Sequence, residues 1–298
     1  MSYRDLFPDK LAVRVVKAVN LLADCTVCAH DCRVNRLQGE KGFCQAGRLA
    51  MVSSWGPHFG EEDVLVGRNG SGTIFFTHCN LACRFCQNCD ISQDGEGSEV
   101  TARELAQIML QLQSRGCHNI NLVSPSHYVP QILEALLIAV EKGLHIPLVY
   151  NTGGYDALPT LQLLDGVVDI YMPDIKFGND ALGQRYTRAP RYFTVAKQAV
   201  LEMHRQVGDL VVDEHGIAVR GLLVRHLVMP HDLARTAEVI KFIAQEVSRN
   251  TLVNIMDQYY PAHQAHRYPE IARRITREEY SRALQLARQY GLRRIYGA

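Results

Sequence analysis

Thr73-Ile74-Phe75-Phe76-Thr77-His78-Cys79-Asn80-Leu81-Ala82-Cys83-Arg84-Phe85-Cys86 decides how this chain is read. An apolar run of strand length opens it, and three cysteines at C-x3-C-x2-C spacing follow at once. Three thiolates hold three corners of a 4Fe–4S cube, whereas a closed cluster of that type takes four. The iron left over is free for another ligand. Cys89 stands three positions after Cys86, so a closed four-thiolate site for zinc or iron–sulfur fits the same spacing. The position right after an opening strand favours the open site, because barrel enzymes carry their chemistry there.

Apolar runs continue outward from this stretch. Residues 119–123, 147–150, 169–172, 222–228 and 252–256 are short and nearly continuous in apolar character, as strands covered on both faces are. Helical patterns lie between them. Thr101-Ala102-Arg103-Glu104 and Thr276-Arg277-Glu278-Glu279 are capping boxes, and residues 129–141, 157–164, 193–206 and 232–247 keep helical spacing. Residues 207–221 read as a loop or small hairpin. Six strand–helix units predict a parallel sheet with right-handed crossovers, hence an α/β fold built as a partial (β/α)6 TIM-like barrel. Cys79, Ser124, Asn151, Asp174 and Asp257 all fall at or just after predicted strand ends.

Residues 1–71 break this alternation and form a predicted N-terminal unit, with the barrel and a last helix occupying 72–298. The unit begins with a helix capped by Asp9 that turns Ala12, Val15, Val16, Val19 and Leu22 inward. A four-cysteine module follows, Cys25-x2-Cys28-x3-Cys32-x11-Cys44, and then a hairpin over 49–66. Four thiolates are a complete set for one metal centre. Structural zinc and a second iron–sulfur cluster both fit that count. His30 and Asp31 lie within the loop as outer partners of the metal.

Composition narrows the function classes. The chain has 298 residues, is 47% hydrophobic and carries a net charge of +1, which gives no general case for nucleic acid as partner. No apolar run is long enough to span a bilayer, and the first residues lack a signal-peptide pattern, so a cytoplasmic protein is expected. Nine cysteines, most of them in two tight clusters, favour metal binding over disulfides. Cys117 reads as a small buried hydrophobe and His226 as a core histidine.

With Cys79, Cys83, Phe85 and Cys86 matching C-x3-C-x-aromatic-C, the chain resembles the radical SAM superfamily. Within it, the chain looks most like an uncharacterised branch related to pyruvate formate-lyase activating enzyme. The four-cysteine segment supports this, as do Gly39-Glu40-Lys41-Gly42-Phe43, His58-Phe59-Gly60-Glu61-Glu62, Ser124-Pro125-Ser126-His127-Tyr128, Asn151-Thr152-Gly153-Gly154-Tyr155, Met172-Pro173-Asp174-Ile175-Lys176, Arg225-His226-Leu227-Val228-Met229-Pro230 and Met256-Asp257-Gln258-Tyr259. Relatives usually carry an aromatic residue where this chain has Cys89.

The resemblance implies a 4Fe–4S cluster on Cys79, Cys83 and Cys86 that cleaves S-adenosylmethionine (SAM) reductively. The resulting 5′-deoxyadenosyl radical abstracts hydrogen from a substrate. It implies that Phe85 covers the cube and that Ser124, Ser126 and His127 lie near the SAM amino group. Asn151 and Thr152 lie near its methionyl or ribose portion, and Asp174, Lys176 and Arg225 serve its ribose and carboxylate. His58, Glu61, Glu62, Asp257, Tyr259 and His263 are substrate candidates. A flavodoxin- or ferredoxin-type donor supplies the electron, and Arg267, Arg273, Arg274 and Arg277 are either its docking face or plain solvated surface. The substrate is a glycyl radical enzyme partner on one reading, a small molecule or peptide on another. From a different class comes a non-catalytic relay or interaction protein with two closed four-thiolate sites.

Overall fold

The computed structural model describes residues 2–6 and 8–296. Ten strands make one sheet: β1 (Ala50–His58), β2 (Ser71–Phe76), β3 (Ser98–Val100), β4 (Ile120–Val123), β5 (Leu148–Thr152), β6 (Ile170–Pro173), β7 (Val211–Val212), β8 (Ala218–Leu227), β9 (Leu252–Met256) and β10 (Arg294–Tyr296). Their order is β10-β9-β8-β6-β5-β4-β2-β1-β3, with β7 paired to β8. β2, β4, β5, β6, β8 and β9 are the six expected strands, and every neighbouring pair among them is parallel.

The sheet is wider than the sequence suggested. β10 adds a seventh parallel strand beside β9. On the other flank β1 and then β3 are antiparallel. The hairpin expected over 49–66 is not formed. Residues 50–58 pair instead with 71–76, and a short helix, Asp63–Val66, fills the connection. β1 therefore carries part of the first 71 residues into the same sheet as the barrel strands.

Parallel strands need crossovers, and the helical patterns supply them. Ala102–Ser114 starts at the Thr101–Glu104 capping box and buries Leu105, Ile108, Met109 and Leu112. Val129–Glu141 is buried around much of its circumference, because it packs against Ala102–Ser114 on one side and against the first helix, Pro8–Asn20, on another. Helices 158–163 and 192–207 were expected, whereas Asp180–Thr187, capped by the Asn179 side chain, was not. The stretch 232–247 divides into a helix, Thr236–Phe242, and a π turn over 243–247. Cys117 is buried, and His226 lies wholly within the core, bonded to the Ile175 carbonyl at 2.7 Å and the Thr236 hydroxyl at 3.0 Å.

The first helix turns most of the expected face inward, with Leu22 in the core and Val15 packed against it, but the face is centred on Leu11 and Ala18 and leaves Val16 out. Leu11 and Ala18 are buried, with Leu22 beyond the helix end, whereas Val16 is 60% exposed. The contact with Val129–Glu141 sets where that face is centred. Leu11→Ala is expected to cost about 2–5 kcal/mol, and Val16→Ala to stay within about 0.5 kcal/mol of wild type, both measured by urea unfolding.

Candidate functional site at the carboxyl ends of the strands

The loop after β2 is built to be rigid. The Ala82 and Arg84 N–H groups donate to the Thr187 and Tyr186 carbonyls at 2.9 and 2.8 Å. The Asn80 side-chain amide donates to the Tyr155 carbonyl at 2.6 Å, and the His30 ring bonds the Asn80 carbonyl at 2.8 Å. At Gly153 a Cβ would come within 2.6 Å of Leu81 Cδ1, so glycine there lets the β5 loop close on the cysteine loop.

Cys79, Cys83 and Cys86 line one cavity of about 190 Å3 together with Ser124, Asn151, Thr152, Asp174, Lys176 and Arg225. Burial pushes the Cys79 thiol up to about 11 and that of Cys83 further. As bare thiols both stay protonated, so a metal there has to displace the protons. The Cys86 sulfur lies 3.1 Å from the Ser92 hydroxyl. Asn88, Ile91 and Ser92 line the same cavity, at the spacing of one helical face. Cys89, one position on from Asn88, opens the short helix Cys89–Ser92 and is not among the lining residues. Among the described residues no three Cys, His, Asp or Glu side chains are placed to hold a single metal ion. A cube makes a different demand, since it spaces its thiolates around a volume, and three thiols on the walls of one cavity fit it.

The same cavity carries a half-buried ionic network, its side chains 14–18% exposed. Asp174 accepts from Lys176 Nζ at 2.6 Å on one oxygen and from Arg225 Nε at 2.7 Å on the other. Arg225 also donates to Asn151 Oδ1 at 2.7 Å and to Glu61 at 3.1 Å. Burial alone would raise the Asp174 carboxyl, but Arg225 and Lys176 outweigh it and hold the group at about 2. For Lys176 and Arg225 burial acts to lower the pKa, and the carboxylates around them raise it well above the ordinary value. Burial leaves the Glu61 carboxyl raised in spite of Arg225. The backbone assists at Ser124, which takes a left-handed conformation (φ 57°) while its N–H bonds the Asn151 carbonyl at 2.9 Å.

Several expected residues lie elsewhere. Ser126 and His127 are buried and are not lining residues of this cavity. Ser126 bonds the Thr152 hydroxyl at 2.9 Å, and Thr152 in turn bonds the buried Asp156. His127 bonds the Thr77 carbonyl, and burial with Arg36 nearby holds it neutral, at about 3. Phe85 packs in an apolar cluster against Phe177 and Tyr259 and borders the neighbouring space instead. Tyr259 is buried with its hydroxyl on the Ile271 carbonyl, and its placement is structural. His263 lines none of the cavities described here; its Nε2 is buried without a hydrogen-bond partner. His58 and Glu61 border the space next to the thiols, and Glu61, Glu62 and Asp257 border a further one. Asn254, Tyr280 and Tyr296 join the latter and had no signal in the sequence beyond their places on a strand or helix.

Cys25, Cys28, Cys32 and Cys44 come together in a module docked on this site. Three of them are buried and Cys32 is half-buried. The Cys32 sulfur occupies the space a Cβ on Gly42 would take, 2.4 Å away. Cys28 forms an isolated antiparallel bridge with Asp156. His30 stacks on Phe43 at 3.9 Å between ring centres. One cavity of about 310 Å3 touches both cysteine sets, through Cys44 and Cys79. Of the basic stretch, Arg273 pairs with Glu279 and Arg274 lies over the Tyr260 ring.

Residues 73–243 match the family model of the radical SAM superfamily. An uncharacterized protein of Methanocaldococcus jannaschii is 37% identical over 297 residues, covering 97% of this chain and 81% of that one. Among solved structures, a radical SAM methyltransferase from Sphaerobacter thermophilus aligns with a TM-score of 0.50 at 16% identity, over 75% of this chain and 64% of the other. Streptococcus suis SuiB bound to its precursor peptide SuiA aligns with a TM-score of 0.49 at 15% identity, over 74% and 47%. This chain thus spans less than two thirds of either solved protein, and the likeness concerns the fold. No helix among the described residues is long and apolar enough to cross a membrane.

The ionic network makes a sharp prediction. Asp174→Asn takes from Lys176 its carboxylate and from Arg225 one of two, and unfolding stability is expected to fall by about 1–3 kcal/mol. The native carboxyl, at about 2, lies below the ordinary value of about 3.9. Its contribution is therefore complete above about pH 4 and drains away as pH falls through about 2. The stability gap between wild type and the variant should narrow over that window in acid titrations.

Proposed function

The chain belongs to the radical SAM superfamily, and from that premise we propose that Cys79, Cys83 and Cys86 hold a 4Fe–4S cluster while SAM lies across the same cavity. When bound, the pair supplies reductive cleavage of the sulfonium and hydrogen abstraction from an unreactive C–H. One observation carries the assignment: three thiols and the Asp174–Lys176–Arg225 network line one cavity, and Cys89 does not.

The chain's own residues supply placement. Lys176 and Arg225 present fixed positive charge to a carboxylate, and Asp174 accepts from hydroxyl or ammonium donors. Ser124, Asn151 and Thr152 add polar contacts along the strand ends. Leu81, Phe75 and Phe76 give the cavity apolar walls that limit water. A flavodoxin- or ferredoxin-type carrier is the proposed electron donor. Kinship with activating enzymes, and with it a glycyl radical partner, rests on sequence resemblance alone. A small molecule or peptide is the other proposed class of substrate.

Cys25, Cys28, Cys32 and Cys44 are proposed as the ligands of a second iron–sulfur cluster, with zinc as the other metal four thiolates suit. X-ray absorption at the iron and zinc edges on wild type and a Cys28→Ser/Cys44→Ser variant decides between them. Loss of iron in the variant supports the cluster, and loss of zinc overturns it.

Anaerobic reconstitution with iron and sulfide, followed by electron paramagnetic resonance with and without SAM, tests the main reading. Cys83→Ala is expected to abolish 5′-deoxyadenosine formation and Cys89→Ala to leave it close to wild type. A spectrum blind to SAM, or equal loss in both variants, would favour a closed relay site instead.

A further inference from the structure

Beside the thiol-lined cavity lies a larger one of about 430 Å3. Glu61, Glu62 and Asp257 border it, with Asn254, Tyr280 and Tyr296. Arg225 reaches it too, but its guanidinium is already committed to Asp174, Glu61 and Asn151. The wall thus carries three carboxylates and no uncommitted cation among the residues that line it.

Glu62 points to a ligand. It is only 3% exposed. One of its oxygens accepts from the Asn254 amide at 2.7 Å, and the other is buried with no hydrogen-bond partner. An unpaired buried carboxylate oxygen is costly, and a charged donor removes that cost. Asp257 is exposed at the same cavity. The two tyrosines add aromatic rings, whose faces attract organic cations.

The space is also in the right place. Glu61, Arg225, Met256 and Gln258 border both it and a space of about 330 Å3 that reaches Cys83, Cys86 and Lys176. A molecule seated against Glu62 therefore lies next to the space that reaches the thiols. The volume falls in the range of small-molecule sites.

We propose that this acidic cavity docks the substrate and that the substrate carries a cationic group, an alkylammonium or a guanidinium, received by Glu62 and Asp257. The substrate role rests on the radical-enzyme reading above, whereas the preference for a cation is a property of the walls and stands apart from it.

Saturation-transfer NMR titrations of the purified full chain test this with four probes of one length: pentylammonium, pentylguanidinium, 1-pentanol and pentanoate. The two cations are expected to bind and the other two not. Glu62→Gln or Asp257→Asn should weaken the cations about tenfold, the loss of one charge-assisted hydrogen bond. Circular dichroism checks each variant, and if Glu62→Gln does not fold, the exposed Asp257→Asn decides. Binding of pentanol or pentanoate as tight as that of the cations, or cation binding unchanged in every folded variant, overturns the proposal. Deoxyadenosine formation is assayed separately. Its absence refutes the radical reading and leaves the cation site standing, while charge-blind binding does the reverse.

Discussion

The Asp174 carboxylate, held between Lys176 and Arg225, fixes the geometry on which the rest depends. It ties the end of β6 to β8, and through Arg225 to Asn151 on β5 and to Glu61 before β2. Charges that have given up most of their hydration are stable only when each finds its partners. Moving one strand end would strand several groups at once, so the network fixes the mutual positions of three strand ends. The thiol loop lies against this frame, clamped by the 186–187 carbonyls and by Tyr155.

The two cysteine sets form a connected assembly. His30, between Cys28 and Cys32, bonds the carbonyl of Asn80, between Cys79 and Cys83. The Cys28–Asp156 bridge places the first module on the β5 loop, whose Gly153 admits Leu81. Asp156 in turn collects hydrogen bonds from Tyr150 and Thr152, both on β5. The N-terminal module therefore supports the loop that carries the second set.

Much of this was legible in the chain itself. The six parallel strands, both capping boxes and the convergence of Cys79, Ser124, Asn151 and Asp174 follow from local pattern plus the rule that strand ends share one rim. What escaped depended on contacts between distant segments. β1 pairs with β2 instead of folding on itself because the sheet offers a longer partner than a local hairpin would. Val16 and Leu11 cannot be ranked without knowing what covers the helix. Ser126 and His127 sit in a motif beside the cavity yet turn into the core, since a left-handed Ser124 redirects the chain immediately before them. Asn254, Tyr280 and Tyr296 meet Glu62 only through the arrangement of β9, β10 and the last helix.

Among the described residues the sheet does not close on itself, and the flank strand β3 is only three residues long. A ladder that stops so soon gives a neighbouring molecule little backbone to latch onto. The fold can thus leave its side unsealed for traffic without inviting copies of itself to stack there.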